Sequence, residues 1–412
     1  MNTRPVDRKD NLRINLEEFR KGTTQLQSLP PVLFVELTQN CNLHCRMCRS
    51  AGNFQPSLNM DNSIFELLLR DLFPYATLVD LRGWGESTLL RDFKERVIQT
   101  ALAGPQLRLV TNALAIDTKL WEVLMGAGAM VVISVDASTA DTMSALGRGS
   151  FDKLIRSLEA GACARNTSKR AGSITFNTVV TSLNLSELPD IVRLASHYGI
   201  GRVTLFPVVA SRSNPLHLDH RKTEIPKYLG YAEDVARELG VELRVGASLH
   251  EELVVMEGLP TRCSHPWEYC YIDYAGNIGY CDHLIGNPSL TLGSLTTAPF
   301  EQIWNSSAFQ KLRASHARVR QHPEEVVSMY PHCGWCYERR YVDFEDETNP
   351  QAAERLISTR GIHPLITDAP GPFNRTDFLT VRKLPRPQSI ALRASSAPNA
   401  PALPMKVVKA DP

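Results

Sequence analysis

The sequence lacks long apolar runs, an excess of charge of one sign, and a secretory signal. Its longest nearly apolar stretch, residues 126–135, is about half as long as a membrane-spanning helix needs to be. Lysine and arginine number 45 and aspartate and glutamate 44, a formal net charge of +1. This balance gives no general attraction to nucleic acid or to an anionic membrane. Because residues 1–20 are charged and have no apolar core, we expect a cytoplasmic protein with neither partner.

Without an export signal a disulfide framework is not expected, and the odd number of nine cysteines also argues against one. The cysteines are grouped along the chain, which favours metal binding or catalysis. Cys163 stands alone on a helical pattern, and we predict that it is a small buried apolar residue. The groups are Cys41, Cys45 and Cys48; Cys263, Cys270 and Cys281; and Cys333 with Cys336.

Short β-rich runs alternate with amphipathic helical stretches through the first half of the chain. Asp61 or Ser63 can cap one of these helices, and Asp117 can cap another. Gly199 suits the position that follows a helix over 186–198. Six such repeats predict an α/β fold, a partial (β/α)6 TIM-like barrel that binds its ligands at the carboxyl ends of its strands. The predicted strands cover 32–38, 76–82, 107–111, 130–136, 174–181 and 202–206.

The pattern also predicts how the chain is divided. A small α+β domain that bears the later cysteines follows the barrel. The end of the chain is rich in proline and small polar residues, so we expect it to be disordered or draped over the surface. The parts are an N-terminal extension at 1–30, the barrel at 31–210, a connecting helix and strand at 211–259, the cysteine-bearing domain at 260–342 and a largely irregular extension at 343–412.

The first cysteine group has the spacing CxxxCxxC and directly follows the first predicted strand. Three thiolates on a tight loop can bind three irons of a 4Fe–4S cube and leave the fourth iron without a protein ligand. Such an open iron can chelate a small molecule. The alternative is a zinc loop, which usually needs pairs of cysteines or a fourth ligand nearby.

The segment "ELTQNCNLHCRMC" resembles the cysteine motif of the radical S-adenosylmethionine (SAM) superfamily, and the similarity extends over residues 32–341. The resemblance implies that the open iron binds SAM. It also implies an external one-electron donor, such as a flavodoxin or ferredoxin. One electron then cleaves SAM to a 5′-deoxyadenosyl radical, which takes hydrogen from an unactivated C–H bond. The residue before the last cysteine is usually aromatic in that family, and here it is Met47.

Further strand ends resemble the SAM-binding positions of the family. Gly83 and Gly85 allow close approach of the backbone to a ligand, and the resemblance implies that Glu86 accepts a hydrogen bond from the SAM ammonium. For Ser134, Asp136 and Asn177, the alternative to a SAM contact is a cap or turn residue. For Arg148 it is a solvated arginine. The positions implied to contact SAM are Gly83, Gly85, Glu86, Ser134, Asp136, Arg148 and Asn177.

The later cysteines resemble the SPASM/twitch extension of radical SAM enzymes. The resemblance implies a hairpin over 271–280 and an auxiliary 4Fe–4S cluster, with a structural zinc site as the alternative. Because no cysteine follows Cys336, the shorter twitch form with one cluster is favoured. Cys270 is a fifth thiol that is a substitute ligand, a bystander or a hydrogen donor. The four implied ligands are Cys263, Cys281, Cys333 and Cys336.

The finer resemblance, carried by "MCRS" and "DLRGWGES", is to the aminoglycoside diol-dehydratases. It implies a small amino-sugar substrate, dehydration of a vicinal diol to a deoxy-ketone, and a separate NAD(P)H reductase, since no Gly-rich dinucleotide loop is present. About thirty residues precede the first strand, too few for a peptide-binding domain. The alternatives are an aminocyclitol dehydrogenase or epimerase, a maturase of a ribosomally made peptide, and a non-catalytic electron carrier. Candidate catalytic residues are Cys270, Asp136, Asp273, His265 and His283.

Overall fold

The computed structural model describes most of the chain up to residue 245 and shorter segments beyond it. The ranges are 5–48, 55–170, 172–208, 213–245, 254–255, 263–281, 291–319, 321–322, 324–326, 333 and 380–381. The predicted irregular extension at 343–412 lies outside the described residues, apart from 380–381. Within the described residues, no helix combines the length and apolar character that crossing a membrane requires.

Helices and strands alternate along most of the described chain. The strands are β1 (Val32–Val35), β2 (Leu78–Asp80), β3 (Gln106–Thr111), β4 (Met130–Ser134), β5 (Ser173–Val180), β6 (Arg202–Pro207), β7 (Glu242–Val245), β8 (Val254–Val255), β9 (Tyr269–Ile272), β10 (Asn277–Gly279), β11 (Gly293–Ser294) and β12 (Thr380–Val381). The helices are α1 (Arg8–Lys21), α2 (Asn62–Asp71), α3 (Phe93–Ala103), α4 (Thr118–Gly126), α5 (Ala140–Ala145), α6 (Phe151–Thr167), α7 (Leu188–His197), α8 (Ile225–Leu239), α9 (His265–Glu268), α10 (Phe300–Trp304) and α11 (Ser307–Ala317).

Ten strands form one sheet in the order β11-β10-β9-β1-β2-β3-β4-β5-β6-β7. The eight strands from β9 to β7 are parallel, and β10 and β11 are antiparallel at the β9 edge. The predicted parallel α/β architecture is therefore confirmed, with β7 as a seventh consecutive parallel strand. One difference is that the hairpin of the cysteine-bearing domain joins the barrel sheet, because β9 pairs with the edge of β1 that would otherwise be open.

The sheet has one face covered by helices and one inner face. Leu33 and Val35 of β1 join the large core that packs against the helices. Their neighbours Val32 and Phe34 point the other way and pack with Leu78. The same inner cluster includes Tyr269, Tyr271 and, from α1, Leu12 and Leu16. Since side chains alternate along a strand, each β-strand residue can be assigned to the helical face or to the barrel interior.

The predicted helix boundaries follow from local capping. Asp61 accepts a hydrogen bond from the Ser63 backbone N–H at the start of α2, and Asp117 caps α4 in the same way. Gly199 follows α7 with a φ of 64°, a left-handed conformation that glycine adopts without strain. The prediction for Cys163 is wrong, because its side chain is exposed on the solvent side of α6.

Candidate active site

The predicted SAM-binding positions meet at the carboxyl edge of the parallel strands. The cysteine loop follows β1, and Glu86 lies in the loop after β2. Asn112 directly follows β3. Ser134 ends β4 and stands opposite Asn177 in the register of β5. Strand order thus brings together side chains that are far apart in the sequence.

Neighbouring strand-end loops hold the cysteine loop in place. The Glu86 backbone N–H donates to the Asn40 carbonyl at 2.7 Å, and the Asn112 side-chain amide donates to Asn42 Oδ1 at 2.9 Å. On the other side, the Arg46 backbone N–H donates to the carbonyl of Leu146 at 3.0 Å. The loops after β2, β3 and α5 therefore fix the backbone on which the three thiols are carried.

The donor set of this loop fits an iron–sulfur cluster. Burial, with smaller contributions from nearby negative charges, raises the pKa of the Cys41 thiol to about 11. Burial also raises the pKa of Cys45. Such thiols become thiolates when a metal binds them. Within the described residues, no three His, Cys, Asp or Glu side chains are grouped so that they could hold one metal ion. A 4Fe–4S cube does not need such a grouping, because each thiolate binds a different iron.

The two glycines of the Gly83-Trp84-Gly85-Glu86 loop are required by close packing. A Cβ atom on Gly83 would lie 2.3 Å from Cγ of Glu36. One on Gly85 would lie 2.4 Å from the carbonyl oxygen of Asn40. The loop after β2 can therefore rest directly on the start of the cysteine loop only because both residues lack side chains.

The Glu86 carboxylate joins the carboxyl ends of β2 and β3. Its Oε1 accepts from the hydroxyls of Thr88 and Thr111, both at 2.7 Å, and its Oε2 accepts from the Asn112 N–H at 2.7 Å. The side chain is buried. Oε2 accepts one hydrogen bond from the described residues and has the capacity for a second, so its role toward the SAM ammonium stays a prediction.

Arg148 lies between the cysteine loop and β4. Its Nε forms an ion pair with Asp136 Oδ2 at 2.9 Å, its Nη1 lies 3.2 Å from Cys45 Sγ, and its Nη2 donates to the Ser134 carbonyl. Asp136 also accepts from the Val179 N–H at 2.6 Å. Since its carboxylate is committed to these contacts, the structure does not favour Asp136 as a free general base.

Two residues at this site, Glu36 and Tyr271, were not predicted from the sequence as site residues. Glu36 is fully buried just after β1, where Oε1 accepts from the Trp84 N–H at 2.9 Å and Oε2 from the Tyr271 hydroxyl at 2.9 Å. Burial raises the pKa of Glu36. The pair links the loop after β2 to β9. The signal available in the sequence was a lone acid at the end of an apolar strand, in "VLFVEL".

The structure does not favour three of the other candidate catalytic residues. Cys270 is fully buried in the core on the helical face of β9, not in the barrel interior, and burial raises the pKa of its thiol. Asp273 accepts from the N–H groups of Ala275 and Asn277 and so forms the hairpin turn. His265 lies at the opposite edge of the sheet and stacks on Tyr269. His283 lies outside the described residues.

The second cysteine group lies at the amino edge of the strands. Cys263 precedes α9 and β9, and Cys281 follows β10, which runs antiparallel to β9, so both come to the same end of the sheet. Cys333 packs with Cys263 on the small cluster formed by Val319 and Val326. The Tyr280 hydroxyl lies 3.7 Å from Cys333 Sγ. Cys336 lies outside the described residues, and three of the four predicted ligands thus share one region.

Comparison with known families agrees with this arrangement. Residues 35–203 match the radical SAM superfamily, and residues 263–337 match the SPASM iron–sulfur cluster-binding domain. The chain therefore carries a radical SAM domain followed by a SPASM domain. A radical SAM domain binds a 4Fe–4S cluster and SAM, and a SPASM domain binds auxiliary iron–sulfur clusters.

Several known proteins are similar over most of the chain. Mycofactocin maturase MftC of Mycobacterium tuberculosis is 28% identical over 312 residues, 72% of this chain and 75% of that protein. An AdoMet-dependent heme synthase of Methanosarcina barkeri is 22% identical over 333 residues, 76% of this chain and 89% of that protein. The crystal structure of Streptococcus suis SuiB bound to precursor peptide SuiA has a TM-score of 0.58 at 17% identity, covering 74% of this chain and 71% of that one.

These relatives do not support the finer sequence resemblance. None of the three is named as an aminoglycoside dehydratase. The radical SAM and SPASM assignments are confirmed, while the comparison gives no support to dehydration of an amino sugar.

Proposed function

We propose that this protein is a radical SAM enzyme that modifies a peptide by abstracting a hydrogen atom from it. The observation that carries the radical SAM activity is the three-thiol loop, packed against Glu86 at one end of a barrel whose other end bears a second cysteine group. The peptide substrate is supported by similarity to a maturase over 72% of this chain and by a shared fold with SuiB, which binds a precursor peptide.

The barrel geometry is compatible with an extended substrate. Within the described residues the sheet does not close on itself, and β7 and β11 are its edges. Among the described residues, no strand pairs with the outer edge of β7 or of β11. An exposed strand edge offers N–H and C=O groups that can pair with a peptide backbone.

The residues of the chain have distinct tasks in this activity. Cys41, Cys45 and Cys48 would hold a cluster that, with SAM bound and one electron from a flavodoxin- or ferredoxin-type donor, supplies the 5′-deoxyadenosyl radical. Glu86 would orient the SAM ammonium at the end of β2. The inner-face groups Ser134 and Asn177 would bind SAM on the neighbouring strands.

Dehydration of an amino sugar is the second candidate. It rests on the resemblance of "MCRS" and "DLRGWGES" to the diol-dehydratases. In that reaction the carbinol hydrogen is abstracted, the resulting ketyl radical loses a proton and the neighbouring hydroxyl, which leave as water, and one electron with one proton converts the remaining radical to a deoxy-ketone. A separate NAD(P)H reductase would then complete the deoxygenation.

Product mass separates the two candidates. Anaerobic, reconstituted protein is incubated with SAM, a reductant and either a panel of peptides or a panel of aminoglycosides, and 5′-deoxyadenosine is measured. The Cys41→Ala/Cys45→Ala/Cys48→Ala variant is the control and should form none. We expect 5′-deoxyadenosine together with a modified peptide. An aminoglycoside that loses water, with every peptide unchanged, would overturn the peptide proposal in favour of the second candidate.

A further inference from the structure

The loop between α5 and α6, residues 146–150, rests on the cysteine loop. Gly147 has a φ of 69°, and a Cβ atom there would lie 2.4 Å from the His44 carbonyl oxygen. Gly149 also has a positive φ, 84°, and a Cβ atom on it would lie 2.8 Å from Leu43. The two glycines let the backbone between them pass close to the thiols, and the residue between them is Arg148.

The Arg148 guanidinium is fixed on three sides. Nε is paired with Asp136 and Nη2 with the Ser134 carbonyl, so that Nη1 is left 3.2 Å from Cys45 Sγ. Asp136 is itself held by the Val179 N–H of β5. A guanidinium is planar, and its N–H donors have fixed directions. The contacts with Asp136 and the Ser134 carbonyl therefore determine the direction of the Nη1 N–H groups.

We propose that Arg148, positioned by Asp136, donates a hydrogen bond to the Cys45 thiolate and thereby raises the reduction potential of the radical SAM cluster. This inference rests on the proposed function only in that the loop holds a cluster. Reduction adds one electron, and hence one negative charge, to the cluster. A fixed positive charge and a hydrogen bond at a ligand sulfur stabilise the reduced form, and such groups tune iron–sulfur potentials.

The role differs from direct contact with SAM, because it operates before SAM binds. In this arrangement Arg148 is a positioning residue that acts through Cys45. It makes the cluster easier for an external donor to reduce.

The test is a redox titration of the cluster without SAM and without substrate. The full chain is reconstituted anaerobically, and the signal of the radical SAM cluster is identified as the one missing from the Cys41→Ala/Cys45→Ala/Cys48→Ala variant. For Arg148→Gln we expect the ratio of reduced to oxidised cluster at a fixed potential to fall about tenfold. For a one-electron couple this is a midpoint about 59 mV lower.

Arg46 offers a matched control. Its charge is one residue from Cys45, but its side chain is exposed and Nη1 donates to the Ala145 carbonyl. Arg46→Gln should move the midpoint much less than Arg148→Gln. If Arg148→Gln retains too little iron for titration, Arg148→Lys is used. Lysine keeps the positive charge but lacks the planar set of N–H donors, and we expect a smaller lowering of the midpoint potential than for Arg148→Gln.

The proposal is overturned if the Arg148 variant that retains its iron has the same midpoint potential as Arg46→Gln. It is also overturned if both Arg148 variants lose iron and Arg46→Gln loses as much. The readout needs neither SAM cleavage nor a peptide. A wrong assignment of the substrate would therefore leave the potential shift intact, and the two failures can be told apart.

Discussion

Individual buried acids hold the carboxyl ends of the strands together. Glu86 accepts from a threonine hydroxyl and a backbone N–H at the end of β3, and Glu36 accepts from the loop after β2 and from β9. A carboxylate can bind several donors at once. Each of these side chains therefore joins loops that carry the candidate site.

Glu86→Gln tests the SAM contact at this scale. The amide keeps one acceptor oxygen for the neighbouring hydroxyls but loses the negative charge that we predict to face the SAM ammonium. A hydrogen bond to a charged group contributes roughly 1.5–3 kcal/mol, so SAM should bind roughly ten- to a hundredfold more weakly. SAM affinity is measured by equilibrium binding to the reconstituted protein, with iron content assayed in parallel.

The exposed Glu95 of α3 provides the control, because Glu95→Gln removes the same charge from the surface of the first turn of that helix. It should leave both SAM affinity and iron content unchanged. Unaltered SAM binding by Glu86→Gln would show that the carboxylate only joins the strand ends.

The raised pKa of Glu36 predicts that the stability of the protein depends on pH. Burial raises its pKa in the folded protein above the ordinary value of 4.5. The folded state then holds this proton to higher pH than the unfolded state does. Stability from this group is complete below about pH 4.5 and is lost as the pH rises through the folded pKa. Glu36→Gln has no such proton, so the wild type should lose stability relative to this variant between pH 5 and pH 8.

The measurement is the free energy of unfolding in urea at both pH values for both proteins. Because the two carry the same cysteines, contributions from the clusters cancel in the difference. An unfolding free-energy difference that does not change with pH would contradict the raised pKa.

At the scale of helices and strands, local sequence patterns predicted the elements themselves, but they did not predict the contacts between segments that are distant in the sequence. The six barrel strands and the caps of α2 and α4 follow from alternation and from capping residues, which act over a few positions. The pairing of β1 with β9 joins residues that are far apart, such as Val32 and Tyr269. Edge strands pair with whichever segment the tertiary structure brings to them, and no local pattern records that choice.

The same distinction holds in the candidate site. The cysteine spacing and the Gly83–Glu86 loop are contiguous motifs, and the sequence identified them. The contact of Glu36 with Tyr271 spans 235 positions and that of Cys45 with Arg148 spans 103. The sequence placed Arg148 near SAM by resemblance only, and its contact with a ligand thiol is visible only in three dimensions.

The close packing of Gly147 against the cysteine loop leads to a prediction about cluster retention. Gly147→Ala adds a methyl group where a Cβ atom would lie 2.4 Å from the His44 carbonyl, so the loop must move off the cysteine loop. The three-thiol cluster should be retained less well, and the auxiliary cluster should be retained normally. Gly128→Ala is a matched control, since Gly128 also has a positive φ, 71°, but no atom within 4 Å of the added Cβ. Iron per chain is measured for both variants, and equal retention would contradict the clamping role.

Arg313 ties the N-terminal segment to the SPASM domain. It is fully buried on α11, where it donates to the carbonyls of Pro266, Thr24 and Trp304 at 2.8–2.9 Å. Arg313→Met leaves these buried acceptors without their donor, at about 1–3 kcal/mol for each unsatisfied group. We therefore expect a loss of at least about 3 kcal/mol in the free energy of unfolding.

Chemical denaturation measures this loss, with Arg237→Met as the control. Arg237 is exposed on α8 and paired with Asp234, and its removal should change stability by less than about 0.5 kcal/mol. Similar values for both variants would mean that Arg313 does not hold the two segments together.

At the scale of the whole molecule, the two cysteine groups occupy opposite ends of one barrel. The first follows the carboxyl end of β1, while Cys263 and Cys281 lie at the amino end of β9 and the far end of β10. The inner face between them carries Phe34 and Tyr271, whose rings pack edge to face 5.6 Å apart. The two sets of thiols are therefore separated along the length of the strands.

This separation predicts that the two clusters assemble independently. Reconstituted wild-type protein should hold about eight irons per chain, the content of two 4Fe–4S clusters. Cys41→Ala/Cys45→Ala/Cys48→Ala should hold about four, and Cys263→Ala/Cys281→Ala should hold the other four. Since neither set of thiols contacts the other through the described residues, removing one set leaves the packing around the other unchanged. Iron and zinc are measured together. Stoichiometric zinc would replace the auxiliary cluster with a structural zinc site, and loss of all iron in either variant would show that the two ends of the barrel fold as one unit.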